Sequence, residues 1–522
     1  MRSKINRAAL AFATLLVAAV FTPAALAETY VVLYKGGASS ADAGQWIERS
    51  GGTVVANYRA IGVVIASSSS PTFTQAMQGG AGIENVAVSR AVAKVEQPEA
   101  SPGDLPNAPA TQDTLAPLQW DMRQIHAFEA HAITGGSPAV VVGDIDTGLD
   151  KDHTDLIPNI DFSRSVSCES GTPNSSPAAW DDHNGHGTHT AGTIAAASNG
   201  FGITGVAPNV KVAGIKSSND DGYFFVHMVV CSFMWAGSQH MDATNNSYFM
   251  DPYLHNCRND PDQRALWKAA KRAIDYAQKQ GVTVVASEGN QSDDLSHPQV
   301  DTTSPDFPPG IEEERDITNA CVVVPVEVDG VIGVTAVGNT RQVDGDDDPN
   351  DYLKSYYSAY GISTADVAAP GGDFYYGRGT DGGPFGLVLS TWPSEIGCAR
   401  SVTDVTGARY CYLQGTSMAS PHAAGLAGLI ISRYGNLNTP QNGKMRPGAV
   451  EALMQQTADA QPCPTALPLQ GAPGSSRANI PYSATRRPSG DLQECQGGPS
   501  HNSWYGSGQI NALRAVLHQT GN

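Results

Sequence analysis

The chain has 522 residues, 41% of them hydrophobic, with 55 glycines and 33 prolines. That make-up describes a loop-rich globular protein, not a disordered one, long enough for one large domain and a minor one. Its formal net charge of −19 at pH 7 argues against a nucleic-acid partner, because a phosphate backbone attracts the opposite sign.

Arg2, Lys4 and Arg7 precede an uncharged run that closes on Ala25-Leu26-Ala27. A basic start, an apolar middle and an Ala-x-Ala end predict a signal peptide over residues 1–27 and a secreted protein, extracellular or periplasmic, with no membrane attachment after cleavage. Thr22 and Pro23 interrupt the run near its end, which weakens the alternative of a spanning anchor. Eight cysteines fit export to an oxidising compartment and predict disulfides. Cys398 with Cys411 and Cys463 with Cys495 would each close a local loop; Cys168, Cys231, Cys257 and Cys321 are left open.

Residues 28–96 read as a small α+β open-faced sandwich: a strand at Tyr30–Tyr34, a helix at Ala41–Ser50, two strands within Thr53–Ala66, a helix after Pro71 and a last strand at Ala91–Val95. Residues 97–117 hold five prolines and no apolar periodicity, a linker exposed to proteolytic nicking. The large domain occupies 118–522. Apolar runs at Ala139–Ile145, Val206–Ile215, Val282–Ser287 and Val331–Val337 are of strand length. Helical stretches at Gly192–Ala197, Phe225–Ala236 and Arg264–Gln280 alternate with them. The pattern predicts an α/β domain with a mostly parallel sheet and helices on both faces. In such sheets the ligand site lies at the carboxyl ends of the strands.

Chemistry-bearing residues gather at those ends. Asp146, in Asp146-Thr147-Gly148, closes the first strand, and His186 starts a small-residue helix. Asn290 follows a strand, and Ser417 sits in Gly415-Thr416-Ser417-Met418-Ala419-Ser420-Pro421-His422 before a run of small apolar residues. Each alone has a plainer reading as turn residue, packing histidine, loop amide or helix cap. Together they supply an acid, a base, an amide donor and a nucleophile.

These motifs, with His186-Gly187-Thr188-His189-Thr190-Ala191-Gly192, resemble those of the subtilisin-like (subtilase) serine endopeptidases over about residues 118–519. The resemblance implies a serine endopeptidase working through an Asp146–His186–Ser417 triad and an acyl-enzyme, with Asn290 and the Ser417 N–H as oxyanion hole. It implies a zymogen whose 28–96 unit is an inhibitory prosegment, the chain's own partner besides a protein or peptide substrate. It also places substrate contacts at Ser247, Tyr248, Phe249, Ser287 and Gly289. No cofactor is implied for the chemistry. Asp155 and Asn199 match the family's structural calcium positions, with a metal-free turn as the alternative. Three departures stand out: Tyr248-Phe249 for a small, flat ending, Ser287-Glu288 for alanines, and Asp144 for an aliphatic residue. Asp144 shares a strand face with Asp146, so it either disturbs that carboxylate or finds hydrogen bonds of its own. Two other functional readings remain: a processing protease dedicated to one partner peptide, and a pseudoprotease that binds peptide without cutting it.

Overall fold

The computed structural model describes residues 27–37, 43–80, 82–89, 113–342, 351–374, 386–438, 443–464 and 486–520. The predicted signal peptide before Ala27, most of the 97–117 linker and the strand expected at Ala91–Val95 lie outside them.

The N-terminal unit runs β1 (Glu28–Tyr34), α1 (Ala43–Arg49), β2 (Thr53–Tyr58), β3 (Val63–Ser68), α2 (Phe73–Gln78) and β4 (Ile83–Ser89). Its strands form an antiparallel sheet in the order β2-β3-β1-β4. The strand beside β1 is thus Ile83–Ser89, which follows α2 after a short turn. Strand alternation gives the sheet two apolar faces. Val32 and Tyr34 pack with Ile47, Phe73 and Met77 of the unit's own helices. Val31, Leu33, Val63 and Ile65 instead join the core of the large body.

The large body continues with α3 (Trp120–Gln124), α4 (Ala127–His131), β5 (Val141–Asp146), β6 (Val166–Ser167), α5 (His186–Ala195), β7 (Lys211–Lys216), α6 (Val226–Ser238), β8 (Ala243–Asn246), β9 (His255–Cys257), α7 (Pro261–Lys279) and β10 (Thr283–Ser287). Then come β11 (Val300–Asp301), β12 (Arg315–Asp316), β13 (Cys321–Val323), β14 (Val331–Arg341), β15 (Tyr352–Lys354), β16 (Val367–Pro370), β17 (Val388–Trp392), β18 (Ser401–Thr403) and β19 (Arg409–Leu413). The chain closes with α8 (Thr416–Tyr434), α9 (Pro447–Thr457), β20 (Gly497–Gly498), β21 (His501–Asn502) and α10 (Ala512–Leu517). The main sheet has the order β15-β14-β10-β8-β5-β7-β6, with β16 also on β14. Its ladders are parallel except that of β15.

Strands β5, β8 and β10 are buried at every position, as strands covered on both faces must be. Val141 and Ile145 face α6 and α7; Val142 faces α5 and α8. Because β5, β8 and β10 run parallel, Asp146, Asn246 and Ser287 arrive at the same sheet edge. The helix expected at Gly192–Ala197 begins earlier, at His186.

Four disulfides join Cys168–Cys231, Cys257–Cys321, Cys398–Cys411 and Cys463–Cys495. The two local pairings are those expected, and the four open cysteines pair across 63 and 64 residues. Residues 291–320 carry the short ladder β11-β12. Residues 373–413 fold in their described part as the antiparallel sheet β17-β19-β18, with Cys398–Cys411 across it.

The N-terminal sheet lies on α6 and α7. Arg272 of α7 reaches Glu84 Oε2 at 2.6 Å and the Tyr34 carbonyl at 3.2 Å, and Lys268 also pairs with Glu84. Ser89 meets His227 Nδ1 of α6 at 2.9 Å, and the Tyr58 hydroxyl donates to the Gly171 carbonyl at 2.7 Å.

Candidate active site

Asp146 closes β5 and is fully buried. The Thr147 N–H donates to its Oδ1 at 2.7 Å, and His186 Nδ1 lies 2.7 Å from the same oxygen. An ionised carboxylate only accepts, so Nδ1 carries the proton and Nε2 presents its lone pair outward. The contact exists because α5 starts where it does. Asp182 gathers the free donors of the first turn: Asn184 N–H and Gly185 N–H on Oδ1, Thr188 N–H and hydroxyl on Oδ2, at 2.6–2.9 Å. Thr147 stitches the strand end to the helix, donating to Asp182 Oδ1 and accepting from Gly187 N–H. Position 187 needs glycine, since a Cβ there would sit 2.2 Å from the Gly148 carbonyl oxygen. Burial alone would push the His186 imidazole down; the Asp146 charge and its hydrogen bond outweigh it and hold the imidazole above its ordinary value.

Ser417 is the second residue of α8. Its hydroxyl donates to the Ser247 carbonyl at 3.2 Å, and the Ser247 hydroxyl donates to the Ser417 carbonyl at 2.9 Å. The second bond follows from the sequence: Ser417 would normally receive the N–H four residues on, but that residue is Pro421. In this rotamer the hydroxyl proton is directed at the Ser247 carbonyl. Asn290 follows β10 and is exposed. Its Oδ1 accepts from both the N–H and the hydroxyl of Thr416, each at 2.9 Å. Two donors on Oδ1 fix the amide's orientation and leave Nδ2 to face outward. Thr416 in turn accepts from Gly289 N–H at 3.1 Å.

Asp144 is fully buried two residues before Asp146, and it has hydrogen bonds of its own. Asn245 Nδ2 donates to its Oδ1 at 2.9 Å, and Thr190 Oγ1 lies 2.7 Å from its Oδ2.

The predicted substrate contacts divide. Ser247, Ser287 and Gly289 lie at the sheet edge with Asn290. Ser287 ends β10, and the Glu288 carboxylate just beyond it accepts from Thr364 at 3.1 Å through Oε2. Tyr248 is 7% exposed and stacks on Phe224, with ring centroids 4.2 Å apart and planes 3° apart; its ring packs under the edge. Phe249 is half-buried against the same cluster.

Asp155 and Asn199 do meet, but through a donor: Asn199 Nδ2 donates to Asp155 Oδ1 at 2.9 Å. Asp155 Oδ2 accepts from Ile203 N–H at 2.9 Å and the Tyr410 hydroxyl at 3.1 Å. The carboxylate is taken up by hydrogen bonds, and the amide oxygen that a hard cation wants is turned elsewhere. As arranged, the pair does not fit a calcium ion. Burial pushes the Asp155 carboxyl up to about 7.

Several positioning residues were not found from the sequence. Thr416 and Asp182 were legible only as members of a Gly-Thr-Ser motif and of a pre-helix acid. The pairing of Asn245 with Ser420 could not be read from either segment alone: Ser420 Oγ donates to Asn245 Oδ1 at 2.7 Å across 175 residues. Buried His422 donates from Nδ1 to the Met418 carbonyl at 2.8 Å, and its Nε2 lies 3.1 Å from Asp121 Oδ2, tying α8 to α3.

The parallel α/β body thus carries a carboxylate–imidazole pair at its strand ends and a serine in the first turn of a helix. The chain belongs to the subtilase family, whose model matches residues 137–493, and it is a serine endopeptidase. It is 32% identical to subtilisin DY of Bacillus licheniformis over 304 residues, 58% of this chain and 80% of that protein. With fervidolysin of Fervidobacterium pennivorans it shares 28% over 333 residues, 61% of this chain but 37% of that protein. In structure it is similar to the epidermin leader peptide processing serine protease of Staphylococcus aureus (TM-score 0.64, 21% identity, 94% of this chain and 98% of that one). It is also similar to the crystal structure of fervidolysin (TM-score 0.61, 21% identity, 94% and 61%). At those identities the structural likeness speaks to the fold.

Proposed function

We propose that the protein is a secreted endopeptidase made as a zymogen, with Asp146, His186 and Ser417 as catalytic triad. The observation that carries the reading is the 2.7 Å bond between buried Asp146 and His186 at the edge where Ser417 and Asn290 also stand. Ser417 Oγ attacks the scissile carbonyl as His186 Nε2 takes its proton, and Asp146 stabilises the imidazolium. Asn290 Nδ2 and the Ser417 N–H receive the oxyanion of the tetrahedral intermediate. His186 then protonates the leaving amine, and water resolves the acyl-enzyme by the same route in reverse. No step calls for a cofactor. The test is labelling with a serine-directed fluorophosphonate, located by mass spectrometry: modification at Ser417 supports the reading, whereas no labelling together with retained peptide binding favours a pseudoprotease.

Asn290 gives a graded check. Asn290→Ala is expected to lower kcat by about 10²–10³ with KM nearly unchanged, a magnitude carried over from subtilisin, because the lost donor acts only on the oxyanion.

In this reading 1–27 is the signal peptide, 28–96 the inhibitory prosegment, 97–117 the cleaved linker and 118–522 the peptidase domain. Support comes from the shared core between β1, β3 and the large body and from the Glu84 pairs with Lys268 and Arg272. In the uncut Ser417→Ala precursor, Arg272→Ala should raise amide exchange across β1–β4 by roughly tenfold, since it removes a partly buried ion pair and a carbonyl contact together. Unchanged exchange would mean the apolar face alone holds the unit.

The half-buried Phe249 favours a second reading of specificity, a processing protease for one partner peptide. A cleavage profile on a peptide library separates the two, because broad cutting is incompatible with a dedicated enzyme.

A further inference from the structure

Asp144 is an acid buried in the hub of a network that the catalytic steps above do not use. Its two oxygens touch two different elements: Thr190 on α5, one turn after His186, and Asn245 on β8. Asn245 carries the link onward. Its Nδ2 lies 3.1 Å from Ser247 Oγ, its Oδ1 accepts from Ser420 Oγ at 2.7 Å, and Ser247 Oγ donates to the Ser417 carbonyl at 2.9 Å. One buried side chain thus connects the helix of the base, the strand of the acid and the helix of the nucleophile.

Proton counting bears on its charge. Thr190 has one hydroxyl proton and three acceptors around it: Asp144 Oδ2 at 2.7 Å, the Gly187 carbonyl at 3.0 Å and the His186 carbonyl at 3.4 Å. If the proton goes to the helix carbonyl, as is usual for a helical threonine, the short contact to Asp144 needs a proton from the acid. The ionisable groups facing Asp144 are Asp146 on its own strand and His186 on α5. The remaining partners, Thr190, Asn245 and, behind it, Ser420, are neutral. His186 is already committed to Asp146, so a second anion on this strand face would have no counter-charge.

Resting on the triad reading of Asp146, His186 and Ser417, we propose that Asp144 is a positioning residue that works as a neutral carboxylic acid, donating to Thr190 and accepting from Asn245 to hold the base and nucleophile in register. Burial first, and then the Asp146 carboxylate, push its carboxyl well above the ordinary carboxylate range, in the same sense as the geometry. A neutral acid here fixes distance without adding to the charge felt by His186.

The test compares Asp144→Asn, Asp144→Leu and Thr190→Val, each expressed as the full chain, with active sites counted by fluorophosphonate. Asparagine reproduces both bonds without a charge and leucine neither. Asp144→Leu is expected to lower kcat by roughly 10²-fold with KM changed less than about twofold, the signature of a misplaced reacting group. Asp144→Asn should rescue most of that loss and leave the acidic limb of kcat/KM where it was, and Thr190→Val should resemble the leucine variant. Because Asp155 is also pushed up by burial, the readout is the infrared difference between parent and Asp144→Asn at neutral pH, which should show a protonated-carboxyl band that the parent has and the variant has lost. The proposal is overturned if that band is missing from the difference, if Asp144→Asn moves the acidic limb down by half a unit or more, or if Asp144→Leu keeps full kcat per labelled site. The infrared band reads the proton even where Asp144→Leu or Thr190→Val folds poorly. Labelling of Ser417 in the parent separates failure of this proposal from failure of the catalytic reading.

Discussion

Ser417→Ala should lower turnover by about 10⁶-fold, a magnitude carried over from subtilisin. Without the hydroxyl there is no acyl-enzyme, and His186 has no bound nucleophile to deprotonate. The residual rate should remain about 10³–10⁴ above that in water, because Asn290 and the α8 N-terminus still polarise the bound carbonyl. The same variant tests maturation. Expressed alone, it should accumulate uncut precursor, seen as a full-length band and as the absence of a new amino terminus. Normal processing of the variant in isolation would show that the linker is cut by another protease. Folding is not at issue, since Ser417 is only half-buried and its hydroxyl makes a single 3.2 Å bond to Ser247.

Asp146→Asn should cost about 10⁴-fold in kcat with KM little changed. Thr147 N–H and His186 Nδ1 share Oδ1, so an asparagine whose NH2 takes that place gives up the Thr147 bond and donates to His186 Nδ1. That puts the imidazole proton on Nε2, where it faces Ser417 and blocks uptake of the serine proton. The pH dependence gives the sign. In the parent, Asp146 holds His186 above the ordinary imidazole value, so kcat/KM should fall as pH drops through a value above about 6.5. Removing the carboxylate takes away the main opposition to burial, leaving only weaker charges behind it, and the limb should move to lower pH on a much lower plateau. A limb that stayed in place would show that Asp146 does not set the basicity of His186.

The departures from the family pattern sort themselves once packing is known. Tyr248 looked like a rebuilt pocket wall, but its ring is absorbed by Phe224 and its hydroxyl meets Asn246 Oδ1 at 3.2 Å. Glu288 stands where the family pattern has an alanine, but it lies just past the end of β10 and its Oε2 is engaged by Thr364. We propose that specificity rests on Phe249 and Ser287.

Sequence alone determined the fold class and the chemical parts. Long apolar runs alternating with helical stretches demand a covered parallel sheet. The turn and helix motifs around Asp146, His186 and Ser417 are local, so their residues could be named without knowing what lay opposite. Tertiary structure decided everything that depends on direction across the chain. It paired Cys168 with Cys231 and Cys257 with Cys321, turned the Asn290 amide by means of Thr416, and pointed Asn199 at Asp155 with the wrong end for a cation. Above all it gave Asp144 its partners, 46 and 101 residues away. A side chain's facing is set by the neighbours that the fold brings to it, and at those separations no spacing rule in the sequence carries that information.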